Sequence, residues 1–501
     1  MSTIEGDVSD LKRAIGLPAE GVEDILTLQR RAFVADGPPS VDVRCNRIDR
    51  LLALLLDNTD AFVAAMAADF GTRSKAASLF TEVVGIIPVI EHTRGHVAQW
   101  MRPEKLMRAG RLFGLKAEIE PTPLGVVGII GPWNFPLNLV ILPAAAAFAA
   151  GNRVMIKMSE ITSRTAALMG ELAPKYFDQT ELAVVTGGRD VAAAFTRLPF
   201  DHLFFTGSPD IGVLVQQAAA RHLVPVTLEL GGKNPVVVAP DADIARAAKR
   251  VAAARMVNGG QVCVCPDYVF IPQGEVDSFL ATARQTLRDM FPTVLTNGDY
   301  CSCVNEPNFD RVLGLLDDAH AKGATVEAVA PAGELLPDRA SRKIAPTIVH
   351  GVDGDMRITA EEIFGPVLVV MGYTQLADVI DYVNERPAPL VAYWYGPDGD
   401  DFQTFVRSTR SGGVARNDFA AQMIPSAAPF GGVGRSGMGA YHGKAGFDAF
   451  THYRSVVGSD LPFSITGSAS PPFRAPMKFY ADATLRMARK RTHRRLKGTG
   501  R

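Results

Sequence analysis

From about Val22 to Arg108 apolar residues recur at helical spacing, as in Leu51, Leu52, Leu55 and Leu56 and then Phe62, Met66 and Phe70, and predict a helical lead-in. The period then changes. Short Val/Ile-rich runs, Gly125-Val-Val-Gly-Ile-Ile, Arg153-Val-Met-Ile-Lys, Leu182-Ala-Val-Val and His202-Leu-Phe-Phe, are each followed by a helix candidate. Such alternation marks βαβ units and a parallel sheet. After Pro235-Val-Val-Val the pattern starts again, with helices expected at Ile244 to Val257 and Val276 to Met290 and strands near Tyr268 to Pro272 and Val367 to Gly372. A second α/β domain follows from it. The longest uncharged stretch, Pro121 to Asn152, has the length of a membrane helix, but Pro132, Asn134, Pro136, Asn138 and Pro143 interrupt it. It reads as buried strand, loop and helix.

Composition adds limits. The 501 residues suffice for two or three domains, and a charged fraction of 21% is that of an ordinary globular chain. Lys and Arg number 52 against 53 Asp and Glu, but eight of the bases lie between Arg486 and Arg501, where there is no acid. The body is therefore acidic, which speaks against nucleic acid as a partner. The Ser/Pro-rich stretch Gly467 to Pro476 reads as a linker into this basic tail. From Phe479 to Arg501 the tail reads as solvated and disordered; contact with anionic lipid is the sharper alternative. The start, Met1-Ser-Thr-Ile-Glu-Gly-Asp, lacks a basic region and an apolar run, so a cytoplasmic protein with free thiols is expected.

Gly259-Gly-Gln-Val-Cys263 sets a thiol behind a flexible glycine pair, the access that a nucleophile needs. A free thiol is mostly protonated at neutral pH, so it needs a base or a positive environment; Glu229, in Thr227-Leu-Glu-Leu-Gly-Gly-Lys233, is the candidate base. Taken alone, each also has a plain structural reading. The pairs Cys263/Cys265 and Cys301/Cys303 invite a zinc or iron–sulfur reading, but a single spacer suits tetrahedral ligation poorly and no His cluster lies near, so no metal is expected. Phe205-Thr-Gly-Ser-Pro-Asp-Ile-Gly212 ends a strand and opens a helix, where backbone amides can meet phosphate. Ile156-Lys-Met-Ser-Glu160 ends another with a cation, a hydroxyl and a carboxylate able to hold ribose; alternatively Ser159 caps the next helix.

The order and spacing of Gly131-Pro-Trp-Asn-Phe-Pro136, Ile156-Lys-Met-Ser-Glu160, Phe205-Thr-Gly-Ser208, Glu229-Leu-Gly-Gly-Lys233, Gly260-Gln-Val-Cys263, Glu361-Glu-Ile-Phe-Gly-Pro366 and Pro429-Phe-Gly-Gly-Val-Gly resemble the NAD(P)-dependent aldehyde dehydrogenase superfamily over most of the chain. Cys263-Val-Cys-Pro-Asp-Tyr268 and Ser436-Gly-Met-Gly-Ala-Tyr-His-Gly-Lys444 look like its class 3 branch, and Ile156-Lys-Met-Ser-Glu looks like the bacterial coniferyl aldehyde dehydrogenases.

The resemblance implies a Rossmann-like coenzyme domain at 1–104 and 125–231, an α/β catalytic domain at 232–438, and a small β bridging element at 105–124 and 439–462. Residues 463–501 are then linker and basic tail. It implies a homodimer, and oxidation of an aldehyde through a Cys263 thiohemiacetal and thioester. Asn134 and the Cys263 amide would hold the oxyanion and Glu229 would activate water. Lys157 and Glu160 would face the adenosine ribose, Gly207 and Ser208 the pyrophosphate, Glu362 and Phe364 the nicotinamide riboside. Pro132, Trp133, Ser159, Gly212, Leu230 and Gly231 complete the implied coenzyme site. The Glu160 charge favours NAD while NADP stays allowed. Aromatic propenals are the first substrate choice and medium or long-chain aliphatic aldehydes the second, with Phe135, Leu139 and Phe419 as candidate pocket walls. Departures from the family pattern are Met158 and Cys265; the latter suggests a reversible disulfide with Cys263 under oxidant.

Overall fold

The computed structural model describes residues 21–107, 114–462, 464, 467, 470–472 and 475–498. The lead-in is helical as its period predicts: Val22–Asp36, Val41–Asp57, Thr59–Phe70 and Ile87–Trp100, with one π-helical turn at Leu79–Val84. Their apolar faces, among them Leu51, Leu55, Phe62 and Met66, share one core with helix Asn138–Ala150. That helix and strand Val126–Ile130 account for the uncharged stretch, and both are buried within protein.

Two parallel-sheet layers follow. The first runs in the spatial order Gly437–Met438, Val226–Leu230, His202–Gly207, Val126–Ile130, Arg153–Lys157, Leu182–Val185. The second runs Thr325–Ala328, Thr347–His350, Val367–Tyr373, Pro266–Pro272, Asn234–Val238, Val391–Tyr395, Gly413–Arg416. Neighbours are parallel except at one edge of each sheet. Buried on both faces, the central strands are the near-continuous Val/Ile runs that such sheets need. In each sheet the chain builds one side of a middle strand first and then crosses to that strand's other side, which leaves a crevice where the two directions part.

Met1–Met101 with Thr122–His452 forms one compact unit, and Arg102–Pro121 with Tyr453–Arg501 a second. The second carries strands of a small sheet ordered Glu104–Lys105, Leu115–Pro123, Thr451–Ser459. Part of the linker, Gly467 to Pro476, lies outside the described residues. The expectation of a disordered tail is corrected: Ala475–Gly498 is a helix. Its Ala, Leu, Met, Arg and Lys are strong helix formers, and no Gly or Pro interrupts Met477 to Lys497.

Candidate active site

Strands Val126–Ile130 and His202–Gly207 are the pair between which the first sheet reverses direction, and a cleft of about 790 Å³ opens beyond their carboxyl ends. It brings together Pro132, Trp133, Asn134, Gly207, Ser208, Glu229, Leu230, Gly231, Cys263, Glu362 and Phe364. Lys157, Ser159, Glu160 and Gly212 do not line it. Lys157 Nζ donates to the Met158 carbonyl (2.6 Å) and the Gly187 carbonyl (2.9 Å) and stands 3.9 Å from Glu160. Ser159 accepts from the Ile161 amide (3.3 Å) rather than capping a helix, because Asp69 of the lead-in takes the Arg164 and Thr165 amides (2.9 Å each). Gly212 lets its helix approach the sheet: a Cβ there would sit 2.7 Å from Leu230 Cδ2.

The cleft fits a nicotinamide dinucleotide. Ser208 caps helix Pro209–Ala220, whose start faces the cleft, the place where an anion is best received. The Thr206 hydroxyl beside it has no partner in the protein. A side chain at Gly231 would run into the Glu362 carboxylate at 2.1 Å, so the floor must stay bare.

Cys263 is carried by an irregular loop. Asn258, Gly259 and Gly260 take φ of 50°, 64° and 77°, a left-handed run for which glycine is suited, and a Cβ at Gly260 would lie 2.1 Å from the Gly365 carbonyl. Gln261 holds the loop from one side, donating to the Asn258 and Ser302 carbonyls (2.9 and 3.0 Å) and accepting from the Val304 amide (3.0 Å). Asn234 holds it from the other, donating to the Cys263 and Cys265 carbonyls (2.7 and 3.0 Å) while accepting from the Val391 amide (3.0 Å). The Asn134 amide donates to the Gln261 carbonyl (3.2 Å), which leaves its second N–H for another acceptor.

Behind Asn134 stands a buried ion pair that periodicity does not reveal. Arg73 donates to Glu82 (2.7 Å) and to the Asn134 backbone carbonyl (2.9 Å), and Glu82 also takes the Leu137 and Asn138 amides (3.1 and 2.9 Å). The segment bearing Glu362 is likewise clamped: Lys233 pairs with Asp267, Asp267 accepts from the Ile363 amide (2.9 Å), and Arg311 donates to the Glu362 and Ile363 carbonyls (3.1 and 2.6 Å). Arg73, Glu82, Asn234, Asp267 and Arg311 escaped the sequence reading. Asn234, next to Lys233, and Asp267, inside Cys263-Val-Cys-Pro-Asp-Tyr268, had a motif to point at them.

Electrostatically the cleft favours neutral groups. Burial raises the Glu229 carboxyl well above its ordinary value, and neither of its oxygens has a partner in the protein. Burial, with Asp267 nearby, raises Glu362 to about 8. Burial first, then the Glu362 and Glu229 charges, push the Cys263 thiol up to about 12. Cys265 is buried with its thiol turned to the Ala254 carbonyl (3.5 Å), and both it and Cys263 are free thiols. One expectation is corrected. Phe135, Leu139 and Phe419 pack into the core instead of lining the cleft. Among the described residues no three His, Cys, Asp or Glu side chains are grouped to hold a metal.

Residues 17–456 match the model of the aldehyde dehydrogenase family. A coniferyl aldehyde dehydrogenase from Pseudomonas sp. is 44% identical, with 91% of this chain and 94% of the relative covered. A dimeric NADP-preferring aldehyde dehydrogenase from Rattus norvegicus is 35% identical over 88% of this chain and 95% of its own. Among solved structures, AldH of Staphylococcus aureus in a substrate-bound state superposes with a TM-score of 0.85 at 32% identity, covering 92% of this chain and 99% of that one. Motif order, doubly wound sheets and these near full-length likenesses agree: the chain belongs to the aldehyde dehydrogenase family, oxidoreductases that use NAD(P).

Proposed function

We propose that the chain oxidises aromatic propenals such as coniferaldehyde to their carboxylates, with Cys263 as nucleophile, Asn134 as oxyanion donor and Glu229 as base. The observation that carries this reading is the convergence of these three side chains on one cleft, with a bare buried carboxylate among them. The substrate class rests on the name and 44% identity of the Pseudomonas relative.

A thiol this strongly protonated needs a proton acceptor, and Glu229, whose burial raises its proton affinity, is suited to the task. The sulfur bonds to the carbonyl carbon, and the carbonyl oxygen gains the electron pair. The spare N–H of Asn134 and the Cys263 amide then face the developing charge. A nicotinamide coenzyme held by Ser208, Gly207, Glu362 and Phe364 supplies the hydride acceptor. Glu229 then releases the thiol proton to bulk solvent, and the regenerated carboxylate takes a proton from water while the water oxygen bonds to the acyl carbon and Cys263 leaves as thiolate.

We assign 1–104 with 125–231 to coenzyme binding, 232–438 to catalysis and 105–124 with 439–462 to bridging. The Glu160 carboxylate beside Lys157 favours NAD over NADP. A homodimer follows the description of the rat relative. We place the protein in the cytoplasm and offer the Arg-rich, solvent-exposed helix Ala475–Gly498 for contact with anionic lipid, which truncation before Asp482 would abolish in liposome sedimentation.

The test is NADH and NADPH formation with coniferaldehyde, hexanal and a long-chain aldehyde, with Cys263→Ala as control. Coniferaldehyde is expected to give the highest kcat/KM, and the variant no turnover above background. Higher efficiency with either aliphatic aldehyde overturns the substrate class, and turnover by Cys263→Ala overturns the mechanism.

A further inference from the structure

The second sheet, like the first, changes direction about a middle strand. From Asn234–Val238 the chain goes to Pro266–Pro272, on to the edge at Thr325–Ala328, back inward through Thr347–His350 and Val367–Tyr373, and then crosses to Val391–Tyr395 on the other side of the starting strand. In the first sheet the equivalent reversal opens the coenzyme cleft. In the second, a crevice of about 250 Å³ lies beyond Val238 and Tyr395, at the carboxyl edge where open α/β sheets receive ligands. Cys263 precedes the amino end of Pro266–Pro272, so the crevice and the nucleophile lie at opposite edges of this sheet.

The lining points to a ligand. Tyr395 is 3% exposed, and its hydroxyl has no hydrogen-bond partner in the protein, an arrangement that costs free energy unless something completes it. Arg246 and Arg250 stand one helical turn apart on Ile244–Arg255, and Asp241 lines the same space. The start of that helix already carries a negative charge, because Asp243 accepts from the Arg246 amide (2.9 Å) and lies 3.9 Å from the Arg246 guanidinium, while Arg250 donates to the Asn417 carbonyl. Two guanidinium groups and two carboxylates balance in charge. A dianion therefore gains little here, whereas a molecule bearing one charge of each sign finds a partner for both.

We propose that this crevice binds a small zwitterion of the α-amino-acid type, its carboxylate received by Arg246 and the Tyr395 hydroxyl and its ammonium by Asp241. The site is independent of aldehyde oxidation. The experiment is ligand-observed saturation-transfer NMR on the full chain with L-valine, isovalerate and isobutylamine, which share a branched alkyl group and differ in charge. L-valine is expected to bind at least about tenfold more tightly than either single-charge probe. Tyr395→Phe and Asp241→Asn are each expected to weaken it at least about fivefold while leaving aldehyde turnover and the unfolding temperature unchanged. Unaltered L-valine titration in both variants, isovalerate binding as tightly as L-valine, or no transfer from any of the three probes overturns the proposal. Aldehyde turnover measured in the same preparations reports separately on the catalytic reading.

Discussion

Cys263 and Glu229 face the same cleft, yet the protein holds them in opposite ways. The backbone around Cys263 is fixed by Asn234 and Gln261, each using both ends of its amide. The Glu229 carboxylate is more deeply buried than Cys263 and has no hydrogen-bond partner in the protein. A nucleophile must meet the carbonyl carbon at one distance and angle, so freedom at the loop costs rate. A base that serves first a thiol and then a water needs different partners in turn, and a permanent hydrogen bond would bind one protonation state in place. On the roles proposed for Cys263 and Glu229, rigid support and lack of support thus go with the two kinds of chemical work.

The sharpest way to break this contrast is to remove each function separately. Glu229→Gln keeps the shape and removes the base: steady-state turnover is expected to fall about 10²–10⁴-fold. The first-turnover burst of NADH is expected to slow as well in stopped flow, because the thiol loses its proton acceptor along with the water. A burst as fast as the wild type with steady-state turnover lost would mean that the thiol proton goes elsewhere and that Glu229 serves hydrolysis alone. Asn134→Ala acts at the other end of the sequence. Removing one oxyanion donor is expected to lower kcat about 10²–10³-fold, with the burst itself slowed. An Asn134→Ala burst as fast as the wild type would move the oxyanion elsewhere.

Asn234→Ala tests the support rather than the chemistry. It strands the Cys263 and Cys265 carbonyls and the Val391 amide, so a loss of about 1–3 kcal/mol in urea unfolding is expected, together with a kcat loss of about tenfold and little change in KM. A fall in stability with kcat intact would show that Asn234 holds the sheet and not the nucleophile. The buried Glu82 offers the matching test on the Asn134 side, since Glu82→Gln weakens the grip of Arg73 and of the two helix amides without emptying the space.

How far the sequence carried depended on the range of the interactions. The strands Arg153–Lys157 and Leu182–Val185 and the helix Val276–Met290 follow directly from local hydrophobic period and turn residues. The residues that converge on the cleft were legible because glycines and polar groups there sit in short motifs whose order survives as pattern. The supports were not. Arg73, in the link after helix Thr59–Phe70, and Glu82, in the π-helical turn, lie in a lead-in where a charged residue usually means solvent, and only the fold brings them under a loop about 60 residues later. Ser159 misled for the same reason: the true partner of the next helix start, Asp69, is 95 residues away from Arg164.

The smallest expected effect concerns how the two carboxylates act on the thiol before any ligand binds. Burial is the main reason the Cys263 thiol is raised to about 12, with Glu362 the larger of the two charge contributions. Removing that charge in Glu362→Gln stabilises the thiolate, so its pKa falls and the thiolate fraction at pH 8 rises about tenfold for each unit of decrease. A less basic thiolate is also a weaker nucleophile, with a Brønsted coefficient of about 0.4–0.5, so each unit yields only about a threefold faster reaction. Iodoacetamide labelling of the coenzyme-free chain, followed by mass spectrometry at Cys263, is therefore expected to speed up roughly threefold at pH 8 in Glu362→Gln and to converge with the wild type as pH rises. Equal rates in the two proteins at pH 8 would leave the raised pKa to burial and the Glu229 charge.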